Sequence, residues 1–154
     1  MSSPAFLSPG DAQVASPLVR ALAGAQGIRD LSLLGKLEVR GPAAGDLGPD
    51  VDVLQLTPQR ALVVCARERK VELRGSLPGF VLDVTGALAG VAVEGAQLMR
   101  RLTDLDLASL PAAGKLAGVQ AFVTGGDGEF RIFFPQEYGH SVVEAVRDAI
   151  EGLA

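Results

Sequence analysis

The chain contains no tryptophan, one tyrosine, one histidine and one cysteine. Each shortage excludes something. A single cysteine, Cys65, forbids an intramolecular disulfide, and a cytoplasmic location is the simplest reading. Cys65 sits in the apolar run "ALVVCARE" (61–68). It reads as a buried structural thiol, because burial raises a thiol's pKa and no histidine is near in sequence to activate it. The single histidine, His140, has no second histidine to share a transition metal and no nucleophile beside it. With few aromatics, platforms for base stacking are scarce. Positive charge is also short: 14 Lys and Arg stand against 18 Asp and Glu, for a net charge of −4. Without a Lys/Arg stripe the chain is a poor nucleic-acid binder, since phosphate neutralisation supplies most non-specific affinity. No apolar run reaches the length of roughly 18 residues that a membrane-spanning helix needs, so no membrane partner is expected. The start, "MSSPAFLSPGDAQ", lacks a basic region and a long apolar stretch, and does not read as a signal peptide.

What is present is a core. Apolar residues make up 48% of the 154, enough for one domain or two small, closely packed halves. Residues 1–15 read as a mobile Pro-rich lead-in, and 16–154 as a single domain of two pseudo-repeats, about 16–75 and 76–154. The repeat shows in "IRDLSLLGKLEVRG" (28–41) and "VLDVTGALAGVAVEG" (81–95). Asp30 and Ser32 correspond to Asp83 and Thr85, and Val39 and Gly41 to Val93 and Gly95, with one extra residue in the second spacer. An Asp followed two residues later by a hydroxyl is a turn or cap signal, because these side chains bond nearby backbone N–H groups. A structural role is therefore the first expectation for Asp30 and Asp83.

Local signals predict the elements. "SPLVRALAG" (16–24) predicts a short helix with Ser16 as N-cap, Pro17 in the first turn, Gly24 as the stop, and Leu18, Val19 and Leu22 on one face. "GKLEVRG" alternates as a half-buried strand, and "PAAGDLGPD" (42–50) reads as loop. "TPQR" (57–60) predicts a turn joining strands 53–56 and 61–65. "RERK" (67–70) reads as a solvated charge cluster. "FVLDVT" and "GVAVEG" read as strands, "GAQLMRRL" (95–102) as a helix, and 103–115 as a loop. Strands 116–124 and 129–135 flank the turn "GGDG", and Val142, Val143, Val146, Ala149, Ile150 and Leu153 form the apolar stripe of a closing helix. Each half thus offers two strands, a connection and a hairpin. The fold class is α+β with mostly antiparallel sheet, because hairpin links are too short for parallel crossovers.

Chemistry-bearing patterns are thin. "GGDGE" (125–129) lacks the Lys-Ser/Thr tail of a phosphate loop and the ligand spacing of a calcium loop. No dinucleotide-binding glycine fingerprint opens a helix after a strand. The carboxylate pairs Asp50/Asp52 and Asp104/Asp106 fall in loop-like stretches, whereas acid–base work needs one member desolvated. No catalytic residue and no metal-ligand set is assigned.

The stretch "GIRDLSLLGKLEVRGPAA" (27–44) resembles the N-terminal segment of the glycine-cleavage aminomethyltransferase (T-protein) family. The stretch from Asp83 through Val84, Thr85, Gly95, Leu105, Asp106, Leu107, Pro111 and Gly114 is similar to the gamma subunit of heterotetrameric sarcosine oxidase. The resemblance covers roughly residues 27–150 and implies a folate-binding-domain fold of two swapped ferredoxin-like halves. In the oxidase, flavin, nicotinamide and folate chemistry belongs to other subunits. The resemblance therefore implies a subunit, not catalytic by itself, that acts through contacts with other protein subunits. The alternative is a small stand-alone tetrahydrofolate-binding or aminomethyltransferase-like protein, with Asp30 and Asp83 as the candidate cofactor-binding carboxylates. A homo-oligomer that kept only the scaffold is the third possibility.

Overall fold

The computed structural model of the chain describes residues 15–41, 45–126 and 128–154. Residues 1–14 of the expected lead-in, part of the 42–50 loop, and Asp127 of the glycine turn lie outside them. The elements run β1 (Arg29–Asp30), β2 (Gly35–Arg40), β3 (Asp52–Thr57), β4 (Arg60–Cys65), α1 (Lys70–Ser76), β5 (Phe80–Asp83), β6 (Leu88–Glu94), α2 (Ala96–Leu102), β7 (Ala112–Leu116), β8 (Val119–Gly126), β9 (Glu129–Pro135) and α3 (Gly139–Leu153). Two antiparallel sheets result, ordered β3-β4-β2-β5 and β1-β6-β9-β8-β7. The leading strand of each half is exchanged. β1 pairs with β6, and β5 pairs with β2. Apart from β7, an addition to the second sheet, the two strand orders correspond.

The sheets stack face to face between two helical layers. On the outer face of the first sheet, Leu37, Val39, Val63 and Cys65 pack with Leu73 of α1 and with Leu77. On the outer face of the second, Val91, Val93, Ile132 and Phe134 pack with α2 and α3. Between the sheets lie Leu31, Leu54, Leu62, Val64, Ala92 and Phe133. At roughly 25 cal/mol per Å² of apolar surface removed from water, these three layers supply the main drive to fold.

Several local expectations change in this setting. Residues 17–24 form successive helical turns rather than an assigned helix. Ser16 Oγ does accept from the Leu18 amide at 3.0 Å, and Gly24 has a φ of +71°. Leu18 and Leu22 point inward, but Val19 is exposed, because so short a segment cannot bury a wide stripe. Strand β2 is buried on both faces, not one, since Lys36 and Glu38 point between the sheets. Residues 67–70 are not a solvated loop: Arg67–Arg69 make a 3-10 turn that leads into α1. Residues 103–115 contain a 3-10 turn at Leu107–Ser109 and the start of β7. The expected hairpins, α2 and most of the α3 stripe are present, though Leu153 ends in solvent.

Gly90 on β6 lies directly opposite Phe133 on the neighbouring strand β9. A Cβ there would sit 2.7 Å from the ring of Phe133, which is fully buried. Gly90→Ala is expected to destabilise the protein by about 1–3 kcal/mol, the usual range for overpacking; urea denaturation measures it.

Candidate functional site

The two Asp-x-hydroxyl segments meet at the pseudo-twofold axis. In each, the carboxylate closes a turn onto the hydroxyl residue's own amide: Asp30 Oδ1 accepts from Ser32 N at 2.9 Å, and Asp83 Oδ1 from Thr85 N at 3.0 Å. The main chain between them continues the exchanged ladder, with Leu31 N donating to Gly90 O at 2.8 Å and Val84 N to Lys36 O at 2.9 Å. The chain then turns away, and the hydroxyl takes the next rung. Ser32 Oγ accepts from Gly90 N at 3.1 Å, and Thr85 Oγ1 accepts from Lys36 N at 3.0 Å. Each hydroxyl reaches the other half of the molecule, so the local turn signal also serves a long-range function.

Lys36 and Gly90 are equivalent positions on β2 and β6, yet they differ completely. The Lys36 side chain is fully buried. Its ammonium donates to Ser32 O at 2.6 Å, Leu88 O at 2.9 Å and Thr85 O at 3.4 Å. Among the described residues no carboxylate forms an ion pair with it. Burial therefore lowers its pKa to about 8, and the charges of Arg67 and Lys70 push the same way, against Asp30 and Asp83.

Beside this centre a cleft of about 390 Å³ opens to solvent. Ser32 and Thr85 line it, with Leu33, Gly86, Arg67, Lys70, Asp83 and Gln136. Asp83 reaches the cleft wall, whereas Asp30 does not line it; the structure does not bring the two candidate carboxylates to one ligand. Asp83 Oδ2 pairs with Lys70 Nζ at 2.9 Å. Burial works to raise the Asp83 carboxyl, and the bonds from Thr85 and Lys70 more than offset it, holding it down to about 2. Sequence reasoning missed Lys36, Arg67, Lys70 and Gln136. The one available signal for Lys36 was a lysine at a position where the second repeat has glycine.

The remaining reactive types are committed elsewhere. Cys65 is buried, and burial pushes its thiol up. Asp106 caps the 3-10 turn, accepting from Ala108 N at 3.0 Å and Ser109 Oγ at 2.9 Å. Asp52 pairs with Arg131 at 3.1 Å. His140 lies on the exposed side of α3, near Glu144, Arg147 and Arg20. Among the described residues, no three His, Cys, Asp or Glu side chains gather as a metal-ligand set, and no helix is long and apolar enough to cross a membrane.

No protein-family profile matches the chain, and no curated protein matches it in sequence. Solved structures do match it. A chain of the heterotetrameric sarcosine oxidase from Corynebacterium sp. U-96, in complex with pyrrole 2-carboxylate, superposes with a TM-score of 0.73 at 19% identity, over 90% of this chain and 95% of that one. The ligand-free regulatory subunit of aspartate kinase from Thermus thermophilus gives a TM-score of 0.50 at 15% identity, over 80% and 96%. At these identities the likeness shows the fold: a duplicated ferredoxin-like α+β arrangement that resembles a sarcosine oxidase subunit.

Two outcomes are expected at this centre. Ser32→Ala and Thr85→Val each leave a buried amide unpaired and should cost about 1–3 kcal/mol in urea denaturation. Lys36 carries the pH dependence. Between about pH 8 and pH 10.5 the unfolded chain keeps a proton that the folded chain has released, so stability rises with pH across that window. The rise should be absent from Lys36→Met when unfolding free energy is measured as a function of pH.

Proposed function

We propose that this chain is a non-catalytic subunit of a larger assembly, comparable to the gamma subunit of a heterotetrameric sarcosine oxidase, and that it works through protein–protein contacts. The observation that carries this reading is the match to one chain of a heterotetramer over nearly the whole of both chains. The site supports it. The ammonium at the axis is spent on backbone carbonyls, and the carboxylate at the cleft wall is spent on a turn and a lysine. These groups hold the two halves together.

A contact surface is available. Strand β5 is an edge of its sheet, with the Phe80 side chain 62% exposed at its start. Val71, on α1, is 81% exposed. An open edge with an exposed aromatic beside it is a template for another chain.

The tetrahydrofolate alternative asks for a carboxylate with acceptor capacity facing a deep pocket. Asp83 has engaged both oxygens, and the layer between the sheets is filled by Leu31, Leu62 and Phe133. The subunit reading is preferred on that ground.

Tagged protein expressed in its own host should co-purify with stoichiometric partner chains, one of them carrying a flavin, in an interface burying roughly 1,000 Å² or more. Phe80→Ser should weaken that complex at least tenfold while leaving the isolated chain's unfolding midpoint unchanged. Recovery as a monomer, or saturable binding of tetrahydrofolate to the isolated chain, would overturn the reading.

A further inference from the structure

Three pairs of equivalent positions from the two halves line the axial cleft, with Ala15 and Pro17 beside them, and its charge is not shared between the halves. Ser32 and Thr85 both line it, as do Leu33 and Gly86, the positions that follow them in the two turns. Arg67 and Gln136 are likewise equivalent, each opening the 3-10 turn that follows the hairpin strand paired with β2 or β6. Lys70, at the start of α1, corresponds to Gly139 at the start of α3, where Leu18 packs so closely that a Cβ would lie 2.7 Å from its Cδ2. One side of the axis is thus closed by an apolar side chain. The other presents a guanidinium and an ammonium.

Below the floor is a third cation. The carbonyls of Ser32 and Thr85 hold Lys36 beneath the same residues that line the cleft. Two cations, Arg67 and Lys70, line the cleft against one lining carboxylate, Asp83, and below the floor Lys36 is balanced in part by Asp30, in a chain whose net charge is −4. Among the described residues no hydrogen bond or ion pair engages the Arg67 guanidinium; its helical neighbours Arg69 and Lys70 do pair, with Glu72 and Asp83. The amides of Leu33 and Gly86, at the turn tips, have no acceptor among the described residues either. A concave site that gathers unsatisfied donors and fixed positive charge selects for negative charge.

We propose that this cleft binds a small anion through carboxylate or phosphate oxygens. Arg67 supplies a planar fork for two oxygens, Lys70 shares its charge between Asp83 and the ligand, and the Gln136 amide orients the ligand from the opposite half. The volume of about 390 Å³ admits a metabolite-sized molecule. This inference stands apart from the subunit reading, because it needs no partner chain.

The test is a titration of the isolated chain, followed by NMR, with inorganic phosphate in one arm and succinate in the other. Ionic strength is held constant with chloride so that screening does not change. Saturable shifts are expected at the amides of Leu33 and Gly86. An anion in the cleft also offsets the repulsion that Arg67 and Lys70 exert on Lys36, so the Lys36 Cε resonance should titrate at higher pH with ligand bound. Arg67→Gln should weaken binding at least tenfold, and Arg20→Gln, beside His140 in a different surface cleft, should not change it. Saturation by phosphate alone, by succinate alone or by both supports the proposal and identifies the preferred oxyanion. Linear, unsaturated shifts in both arms, or equal affinity in Arg67→Gln, would overturn it.

Discussion

The exchange of leading strands is the constraint on which the rest of the molecule depends. Each sheet is completed by a strand from the other half, so neither half can satisfy its own backbone without its neighbour. The exchanged strands are short: β1 has two residues and β5 has four. The hydroxyls of Ser32 and Thr85 extend the ladders by one rung each, across the axis, onto Gly90 and Lys36. Two oxygens thus do at the centre of the fold what several more strand residues would otherwise do.

That arrangement explains why equivalent positions diverged as they did. The layer between the sheets must be filled, and its two central positions are filled differently. At Gly90 the side chain is removed, and the ring of Phe133 from β9 occupies the space. At Lys36 a long stem fills it, and the charge at its tip needs partners. The carbonyls of the two turns and of Leu88 at the start of β6 supply them, with no counter-ion in contact among the described residues. An ammonium so placed loses water that three carbonyls replace only in part, which is why its proton is held less tightly than usual.

The same asymmetry separates scaffold from surface. The second half carries α2, α3 and β7, and with them the larger apolar core. The first half carries α1 and the Arg67 and Lys70 flank of the cleft, and its sheet ends at β5, the strand that the second half contributes.

What the sequence by itself determined is what rests on neighbours within a few residues. The "TPQR" and "GGDG" turns placed their hairpins, the 3.6-residue stripe placed α3, and Asp-x-hydroxyl marked two turns and a duplication. The resemblance to a swapped, duplicated fold was legible for the same reason. Tertiary structure alone decided the burial of Lys36, the second covered face of β2, α1 in place of a charged loop, and the meeting of Arg67 with Gln136. The Lys36 ammonium takes carbonyls of Thr85 and Leu88, 49 and 52 positions away, Glu38 pairs with Arg60, 22 positions away, and α1 packs through Leu73 on β2 and β4. Their energies come from desolvation and from partners that are distant in the chain, and no local pattern encodes either.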